Sequence, residues 1–310
     1  MLNSSGIKCI GESKFSAKDS ARMALVAEGR GGTSTAIAEK TGIHSIGTKD
    51  NYLDKWQEIG RFAKESTGLR DLEKLTTENI REFLAYKIEI GVSYSHWSGY
   101  AAAVGKLENA LNGYADKYDR GNEYNLRAAI IELRPEARFE LPRFTGTRNY
   151  ENPGQLASSI GNPEFSLVAE IQHQSGLRVA GASCIGAKQL RGLSHDVHTG
   201  KAVGLVAYIG KGGKPGTALL PPETYQQLAK HISEHGQLKV SVDGYRQALK
   251  AAAMQTSQQY NGSHGLRWNF AQERFSELQS VGASYENALG IVSNELGHNR
   301  IEITLHYLGL

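Results

Sequence analysis

The sequence is poor in cysteine, has no long apolar run and carries only a small excess of positive charge. Its two cysteines, Cys9 and Cys184, cannot form a disulfide framework, and neither belongs to a Cys-x-x-Cys pair that would suit structural zinc. No run approaches the roughly 18 apolar residues of a membrane span, and the N-terminus has no apolar signal core. We therefore expect a cytoplasmic protein with no membrane segment and no bound metal.

The charge balance and the length set broad limits on the partner and the architecture. The net charge is +3 over 310 residues, with a pI near 8.7. This balance is compatible with binding nucleic acid but does not require it, because a mildly basic total can hide one basic face. Hydrophobic residues make up 40% and charged residues 22%, as in ordinary globular proteins, and the length allows two domains.

The first half of the chain contains a polar leader followed by a helical pattern. Residues 1–46 are rich in Gly, Ser and Thr and predict a loosely packed leader with one short helix near residues 16–28. Residues 47–134 predict a small all-helical domain, in which Thr76 or Thr77 caps the second helix. The first helix of this domain repeats apolar residues every three or four positions, at Tyr52, Trp56, Ile59 and Phe62.

The second half begins after a segment that has no steady period. Residues 135–154 contain three prolines and several arginines and predict a linker, whose arginines suit either a phosphate backbone or plain solvation. Residues 155–310 predict a helix, then a β-hairpin around "GKGGKPG", then further helices. The expected helices lie near residues 222–235, 243–259, 267–279, 284–296 and 300–307. The fold class is therefore mainly α with a small β-sheet.

Four short stretches in this second half hold residues suited to chemistry: "HQSGLRVAG", "YIGKGGKPG", "SHGLRWNF" and "ELGHNRIEITLHYLGL". The residues concerned are Arg178, Lys211, Lys214, His264, Arg267, His298 and Tyr307. Each stretch alone has an ordinary structural explanation, such as a solvated arginine, a hairpin lysine or a helix end. The hairpin also lacks the Gly-Lys-[Ser/Thr] ending of a nucleotide-binding loop, so no nucleotide cofactor is expected.

Together, these residue types suit the attack of a tyrosine oxygen on a phosphodiester. The transition state gains negative charge on its non-bridging oxygens, and guanidinium groups offer paired donors that stay charged. A phenol with a pKa near 10 is a weak nucleophile at neutral pH, and histidine is the natural group to handle its proton. A lysine on a mobile hairpin is suited to protonate the departing 5′ oxygen.

The same stretches carry a resemblance to a known family. The segments "SGLR", "GKGGK", "HGLR" and "LGHNRIEITLHYL" make residues 155–310 resemble the catalytic domain of the tyrosine recombinases, the phage-integrase family. Residues 47–134 resemble that family's helical core-binding (SAM-like) domain, which forms the other half of a clamp around DNA. The family usually has an acidic residue about three positions after its first arginine, where this chain has Gly181 and Ala182.

The resemblance implies roles for the matching residues. It implies that Tyr307 attacks the scissile phosphate to form a 3′-phosphotyrosyl bond while Arg178 and Arg267 bind that phosphate. It further implies that Lys211 is the general acid for the 5′ hydroxyl, with Lys214 as the alternative.

Two histidines and the absence of cofactors complete this set of expectations. His264 would assist proton transfer from Tyr307, and His298 would hydrogen-bond the phosphate. The family uses neither metal nor ATP, because the covalent intermediate conserves the energy of the broken bond.

The expected function is site-specific DNA recombination, in the integration or excision of a mobile element. The expected partners are double-stranded DNA recombination sites, further copies of the chain in a homotetramer on DNA, and an accessory DNA-bending or directionality factor. Two alternatives share the residues: a type IB topoisomerase-like or telomere-resolving enzyme, and an inactive DNA-binding relative. In the helical domain, Lys87, Lys106 and Lys117 are candidates for phosphate contacts, although each also fits an ordinary solvated position.

Overall fold

A computed structural model of the chain describes residues 46–69, 71–210, 213–298 and 301–309. The helix expected near residues 16–28, and the leader apart from Ile46, lie outside these ranges. The chain divides into two compact units between Phe144 and Thr145, within the segment expected to be a linker. No helix in the described ranges is long and apolar enough to cross a lipid bilayer.

The first unit is all-helical, as its apolar periodicity predicts. Its helices are α1 (Ile46–Thr67), α2 (Thr77–Glu89), α3 (Tyr94–Lys117) and α4 (Arg127–Glu140). Thr76 caps α2, since its hydroxyl accepts from the Asn79 amide and the Asn79 side chain accepts from the Thr76 amide, both at 3.2 Å. Helix α4 continues six residues beyond position 134, so part of the expected linker is helical.

Two buried indoles join the helices of this unit. Trp56 donates its ring N–H to the carbonyl of Ala103 at 2.7 Å, and Trp97 donates to the carbonyl of Leu84 at 3.1 Å. Both side chains are almost fully buried, and a buried indole N–H needs such an acceptor. These bonds tie α1 to α3 and α3 to α2.

Lys87 lies inside this unit and not on its surface. It is 6% exposed, and its ammonium lies 2.6 Å from the Glu58 carboxylate. This placement removes Lys87 as a candidate for contact with DNA. Lys106 is half-buried, and the side chain of Lys117 is outside the described part of the chain.

The second unit is mostly helical and contains two small sheets. Its helices are α5 (Pro153–Ser158), α6 (Pro163–Ser175), α7 (Val179–Ala182), α8 (Pro222–His235), α9 (Val242–Gln255), α10 (Ser263–Ser280), α11 (Tyr285–Glu295) and α12 (Ile301–Leu308). Its strands are β1 (Cys184–Gly186), β2 (Leu190–His195), β3 (Ala202–Ile209), β4 (Pro215–Leu220) and β5 (Gln237–Lys239). The combination of an all-helical unit and a mainly helical unit with small sheets confirms the predicted fold class.

The predicted hairpin is present as β3 and β4, paired antiparallel from Gly204 with Leu220 to Ile209 with Pro215. Strand β2 adds to the other edge of β3, which completes a three-stranded antiparallel sheet. Strands β1 and β5 form a separate antiparallel pair.

Helix α10 lies at the centre of the second unit and packs against α6, α11 and α12. Its middle is buried in an apolar cluster with α11 and α12 that includes Trp268, Phe275 and Leu296. Because this helix is surrounded on several sides, Arg267 and Asn269 in its first two turns are held inside the protein. His264, in the first turn, is exposed.

Candidate active site

Arg267 is the most deeply held cation of the site. It is 2% exposed, and its guanidinium donates to the carbonyls of Gly176 and Leu296. One terminal nitrogen also lies 3.3 Å from Nε2 of His298. Its Nε is buried and has no hydrogen-bond partner within the described residues. A buried donor left unpaired costs about 1–3 kcal/mol, so this geometry suits an added acceptor.

Tyr307 lies beside Arg267 and is also buried. It is 6% exposed, and its hydroxyl lies 2.6 Å from Nε2 of His264. The guanidinium carbon of Arg267 is 5.8 Å from the centre of the phenol ring, and the rings of Trp268 and His298 lie 5.2 and 5.1 Å away. Tyr307 is therefore an interior side chain, although it lies three residues from the end of the sequence.

Both histidines of the site are neutral near pH 7. Burial, followed by the charges of Arg267 and Arg178, lowers the pKa of His264 to about 4. The same causes lower the pKa of His298 to about 4. Nδ1 of His298 lies 2.8 Å from the hydroxyl of buried Thr304, which orients its ring. A neutral His264 can accept the proton of the Tyr307 hydroxyl, and an imidazolium could not.

Arg178 reaches the same neighbourhood from a different element. It precedes the single turn α7 and is half-buried. Its charge is close enough to lower the pKa of both His264 and His298. No other described residue forms a hydrogen bond or an ion pair with its guanidinium, which leaves its donors open to a ligand.

The turn before Arg178 is held by the hydrogen bonds of three side chains, Arg267, Gln172 and Tyr245. Gly176 ends α6 with φ +65°, and a Cβ there would lie 2.4 Å from the Phe270 ring. Its carbonyl accepts from Arg267. The carbonyl of Leu177 accepts from Nε2 of Gln172 at 3.2 Å, and Oε1 of Gln172 accepts from the Tyr245 hydroxyl at 2.8 Å.

Arg274 holds the segment that carries His298 in place through an ion pair at the end of α11. Arg274 lies two turns after Arg267 on α10 and is 8% exposed. It binds the carboxylates of Asp196 and Glu295, each at 2.8 Å. Glu295 ends α11, immediately before the Leu-Gly-His segment, so this ion pair holds that segment against α10.

Of the two candidate lysines, the structure describes only Lys214. Lys211 lies outside the described residues. Lys214 is exposed in the turn before β4, where its carbonyl accepts from the Gly210 amide at 2.6 Å. The choice of general acid between them stays a prediction.

Sequence reasoning missed the residues that support the site from other parts of the chain. Gln172 and Tyr245 belong to none of the four motifs and are 73 positions apart. Arg148 is exposed, yet its charge also lowers the pKa of His264. The only signal for Arg148 was its place in an arginine-bearing segment. At Gly181, a Cβ would make ordinary contact with Leu177, at 3.6 Å, so the absence of an acidic residue there is not forced by space.

The arrangement therefore joins a phenol, a neutral base and two arginines around one point. Arg178 and Arg267 provide positive charge, and Tyr307 is hydrogen-bonded to His264. Such a site is suited to hold an anion next to the phenol oxygen.

The chain shares its fold with DNA recombinases of known structure. No protein-family model and no curated protein matches the sequence. The XerH site-specific recombinase bound to difH substrate, in a pre-cleavage complex, matches 99% of this chain and 94% of its own, at 16% identity and a TM-score of 0.58.

Two further solved structures agree with this match. XerH bound to a palindromic difH substrate, in a post-cleavage complex, matches 84% of this chain and 75% of its own, at 18% identity and a TM-score of 0.57. The Tn1549 transposon integrase in complex with transposon right end DNA matches 93% of this chain and 94% of its own, at 13% identity and a TM-score of 0.55. The protein therefore has the fold of the tyrosine recombinases.

Proposed function

We propose that the protein is a site-specific DNA recombinase that cuts and rejoins DNA through a 3′-phosphotyrosyl intermediate. The observation that carries the proposal is the Tyr307 hydroxyl, 2.6 Å from a neutral His264 and beside a buried Arg267 with an unpaired Nε. The fold shared with XerH and the Tn1549 integrase supports DNA as the substrate, since those proteins are bound to DNA.

In the first step, the Tyr307 oxygen attacks the scissile phosphorus. A bond forms between phosphorus and the phenol oxygen, and the bond between phosphorus and the 5′ oxygen breaks. The phenol proton passes to Nε2 of His264, which lies 2.6 Å from that hydroxyl. The products are a 3′-phosphotyrosyl bond and a free 5′ hydroxyl.

The substrate itself strengthens His264 as a base. In the free protein the arginine charges contribute to the low pKa of His264. A bound phosphodiester carries a negative charge that offsets this field, and so it raises the pKa of the nearby imidazole. The base therefore gains strength when DNA is in place.

Arg178, Arg267 and His298 stabilise the charge that develops on the non-bridging oxygens. The unpaired Nε of Arg267 and the open guanidinium of Arg178 are the available donors. For His298 to donate, its Nε2 must carry the proton, and the Thr304 hydroxyl then donates to Nδ1. Removal of one donor of this kind typically slows catalysis by about 10²–10³-fold.

The leaving group and the return step complete the reaction. We assign protonation of the 5′ oxygen to Lys211, with Lys214 as the second choice. The 5′ hydroxyl of another strand then attacks the phosphotyrosine, which releases Tyr307 and rejoins the DNA. No ATP is required, because each step exchanges one phosphoester bond for another.

The biological setting that fits this chemistry is the integration or excision of a mobile element, carried out in the cytoplasm. The first unit contributes DNA binding, and four copies assemble on two recombination sites, with an accessory DNA-bending or directionality factor. Exchange between two sites distinguishes this function from relaxation of a single plasmid by a topoisomerase-like enzyme.

The test uses nicked duplexes that tile the DNA flanking the protein's own gene. A nick near the cleavage point lets the short fragment diffuse away, which traps the covalent complex. We expect an SDS-resistant shift that Tyr307→Phe abolishes and that Tyr285→Phe, at a tyrosine 40% exposed in the same unit, leaves unchanged. A shift of equal intensity in the Tyr307→Phe variant would refute the nucleophile, and DNA binding without any shift would indicate an inactive relative.

A further inference from the structure

Three arginines of the first unit converge on two neighbouring aromatic rings. We define the arginine cluster as Arg134, Arg138 and Arg143, which lie around Tyr94 and Trp97 at the start of α3. Arg138 donates from Nε to the Tyr94 hydroxyl at 3.1 Å, and the guanidinium carbon of Arg143 lies 4.6 Å from the centre of the Tyr94 ring.

The cluster is built by contacts of the backbone and of stacked rings. The Tyr94 amide donates to the carbonyl of Pro142 at 2.9 Å, which holds the chain after α4 against the start of α3. The rings of Tyr94 and Trp97 are nearly parallel, 13° apart, with centres separated by 6.3 Å. Arg134 lies over the Trp97 ring at 5.9 Å. The three guanidinium groups are thus gathered at one place by the fold.

The arginine cluster is not held by close ion pairs in the part of the unit that the structure describes. None of the three arginines forms an ion pair with a described Asp or Glu, whereas Arg81 binds Glu132 at 2.9 Å and also Glu78. Arg138 and Arg143 are exposed, and Arg134 is half-exposed. The hydrogen bond from Arg138 lowers the pKa of Tyr94, which indicates a positive field at the protein surface.

Positive charges gathered in this way repel one another, and an anion with several negative groups that lies over them offsets the repulsion. Guanidinium groups donate pairs of hydrogen bonds to phosphate oxygens, and they stack on aromatic rings. The rings of Tyr94 and Trp97 can therefore hold the arginines in place while their N–H groups bind phosphate. A nucleic-acid backbone presents successive phosphates at a spacing that several arginines can contact together.

We propose that the arginine cluster is a surface that binds the phosphate backbone of duplex DNA. It adds a named contact surface on the first unit to the recombinase function proposed above, and it rests on that function for the identity of the polyanion. The cluster reads no bases, since guanidinium contacts to phosphate carry no sequence information.

The test compares salt-dependent DNA binding of full-length variants, all in a Tyr307→Phe background so that cleavage does not interfere. Removal of one arginine–phosphate interaction reduces the slope of log K against log[KCl] by about 0.9, so Arg138→Gln with Arg143→Gln should reduce it by roughly 2. At 0.1 M KCl, the same relation gives an affinity about eightfold weaker for each interaction removed. The probe is a fluorescent duplex of mixed sequence.

Two controls separate charge from packing. Arg138→Lys with Arg143→Lys keeps the charges but loses the planar stacking, so it should keep most of the slope. Arg81→Gln removes an arginine that already has carboxylate partners, so its slope should change least.

Equal slopes for the double Gln variant and Arg81→Gln would overturn the proposal, as would loss of the slope in the double Lys variant. Failure of the recombinase proposal looks different. In that case the protein with Tyr307 intact forms no covalent adduct, whereas the salt slopes still report whether the cluster binds DNA.

Discussion

The hydroxyl of Tyr245 holds Gln172, and Gln172 holds the turn that carries Arg178. Tyr245 and Gln172 are 0% and 1% exposed, and their hydrogen bond is 2.8 Å long. Tyr245→Phe removes only the donor of this bond, with no change in ring packing. We expect it to loosen the Leu177 carbonyl and thereby the position of the Arg178 guanidinium.

The expected size of the effect of Tyr245→Phe follows from the loss of the hydrogen bond to Oε1 of Gln172. Oε1 of Gln172 loses its described donor in a buried site, which costs about 1–3 kcal/mol of folding free energy. If the arginine is displaced by about 1 Å in the reacting complex, cleavage slows by up to about 10²-fold. We therefore expect a 10- to 100-fold loss of the cleavage rate, on the scale of about 1.4 kcal/mol per factor of ten.

The assay measures single-turnover cleavage of two nicked substrates, one with a normal scissile phosphate and one with a methylphosphonate. The methyl group removes the negative charge that Arg178 is proposed to bind, so a misplaced Arg178 should matter less on this substrate. The ratio of wild-type to Tyr245→Phe rates should therefore be smaller on the methylphosphonate. Arg178→Ala should show the same selective recovery.

A matched control is Tyr225→Phe, in the same unit. Tyr225 is 7% exposed, and its hydroxyl accepts from the Gly192 amide at 2.7 Å, so its loss also removes the partner of a partly buried polar group. It should lower stability without any change in the ratio between the two substrates. The reasoning is refuted if Tyr245→Phe slows both substrates by the same factor, or slows neither.

The remaining predictions concern acid stability, backbone geometry and the leaving group. Because the pKa values of His264 and His298 are about 4 in the folded protein against about 6.5 when unfolded, stability should be lost as pH falls from about 6.5 towards 4. Urea midpoints should show a smaller loss over this interval for His264→Gln, and an equal loss would contradict the assignment. Gly176→Ala should lower the urea midpoint by an amount equivalent to more than about 1 kcal/mol, because φ is +65° and a Cβ meets Phe270 at 2.4 Å. Gly290→Ala, in helix α11 with no atom within 4 Å of the added Cβ, should cost nothing, and similar losses for both would contradict the steric argument. Lys211→Ala should slow cleavage of normal DNA but cut a 5′-bridging phosphorothiolate at nearly the wild-type rate, since a thiolate leaves without a proton; equal slowing on both would move the general acid elsewhere.

Parts of this fold could be predicted from the sequence because they depend on residues that are close together in the chain. The Thr76 cap depends on a residue three positions away, and the β3–β4 hairpin depends on apolar strands on either side of a glycine-rich turn. The β1–β5 pair was not predicted, because each strand has three residues and they are separated by about fifty positions in the chain. Such short strands carry too few residues to show a period.

The site was predicted to the extent that its residues lie in short motifs. His264 and Tyr307 were identified in that way, and the structure brings them within hydrogen-bonding distance. Gln172 and Tyr245 have no motif, because their role arises only when α6 and α9 pack together. The sequence alone predicts that Lys87 lies on the surface, because no residue near it in the chain indicates that Glu58 lies beside it in the fold.

The central claim is that Tyr307 becomes covalently attached to DNA. Trypsin should release the C-terminal peptide after Arg300, "IEITLHYLGL", in which Tyr307 is the only tyrosine. After the adduct is trapped on a nicked duplex and digested with nuclease and trypsin, mass spectrometry should find this peptide carrying a 3′-linked nucleotide on Tyr307. A nucleotide found on any other residue, or this peptide recovered only unmodified from a verified covalent complex, would contradict the account.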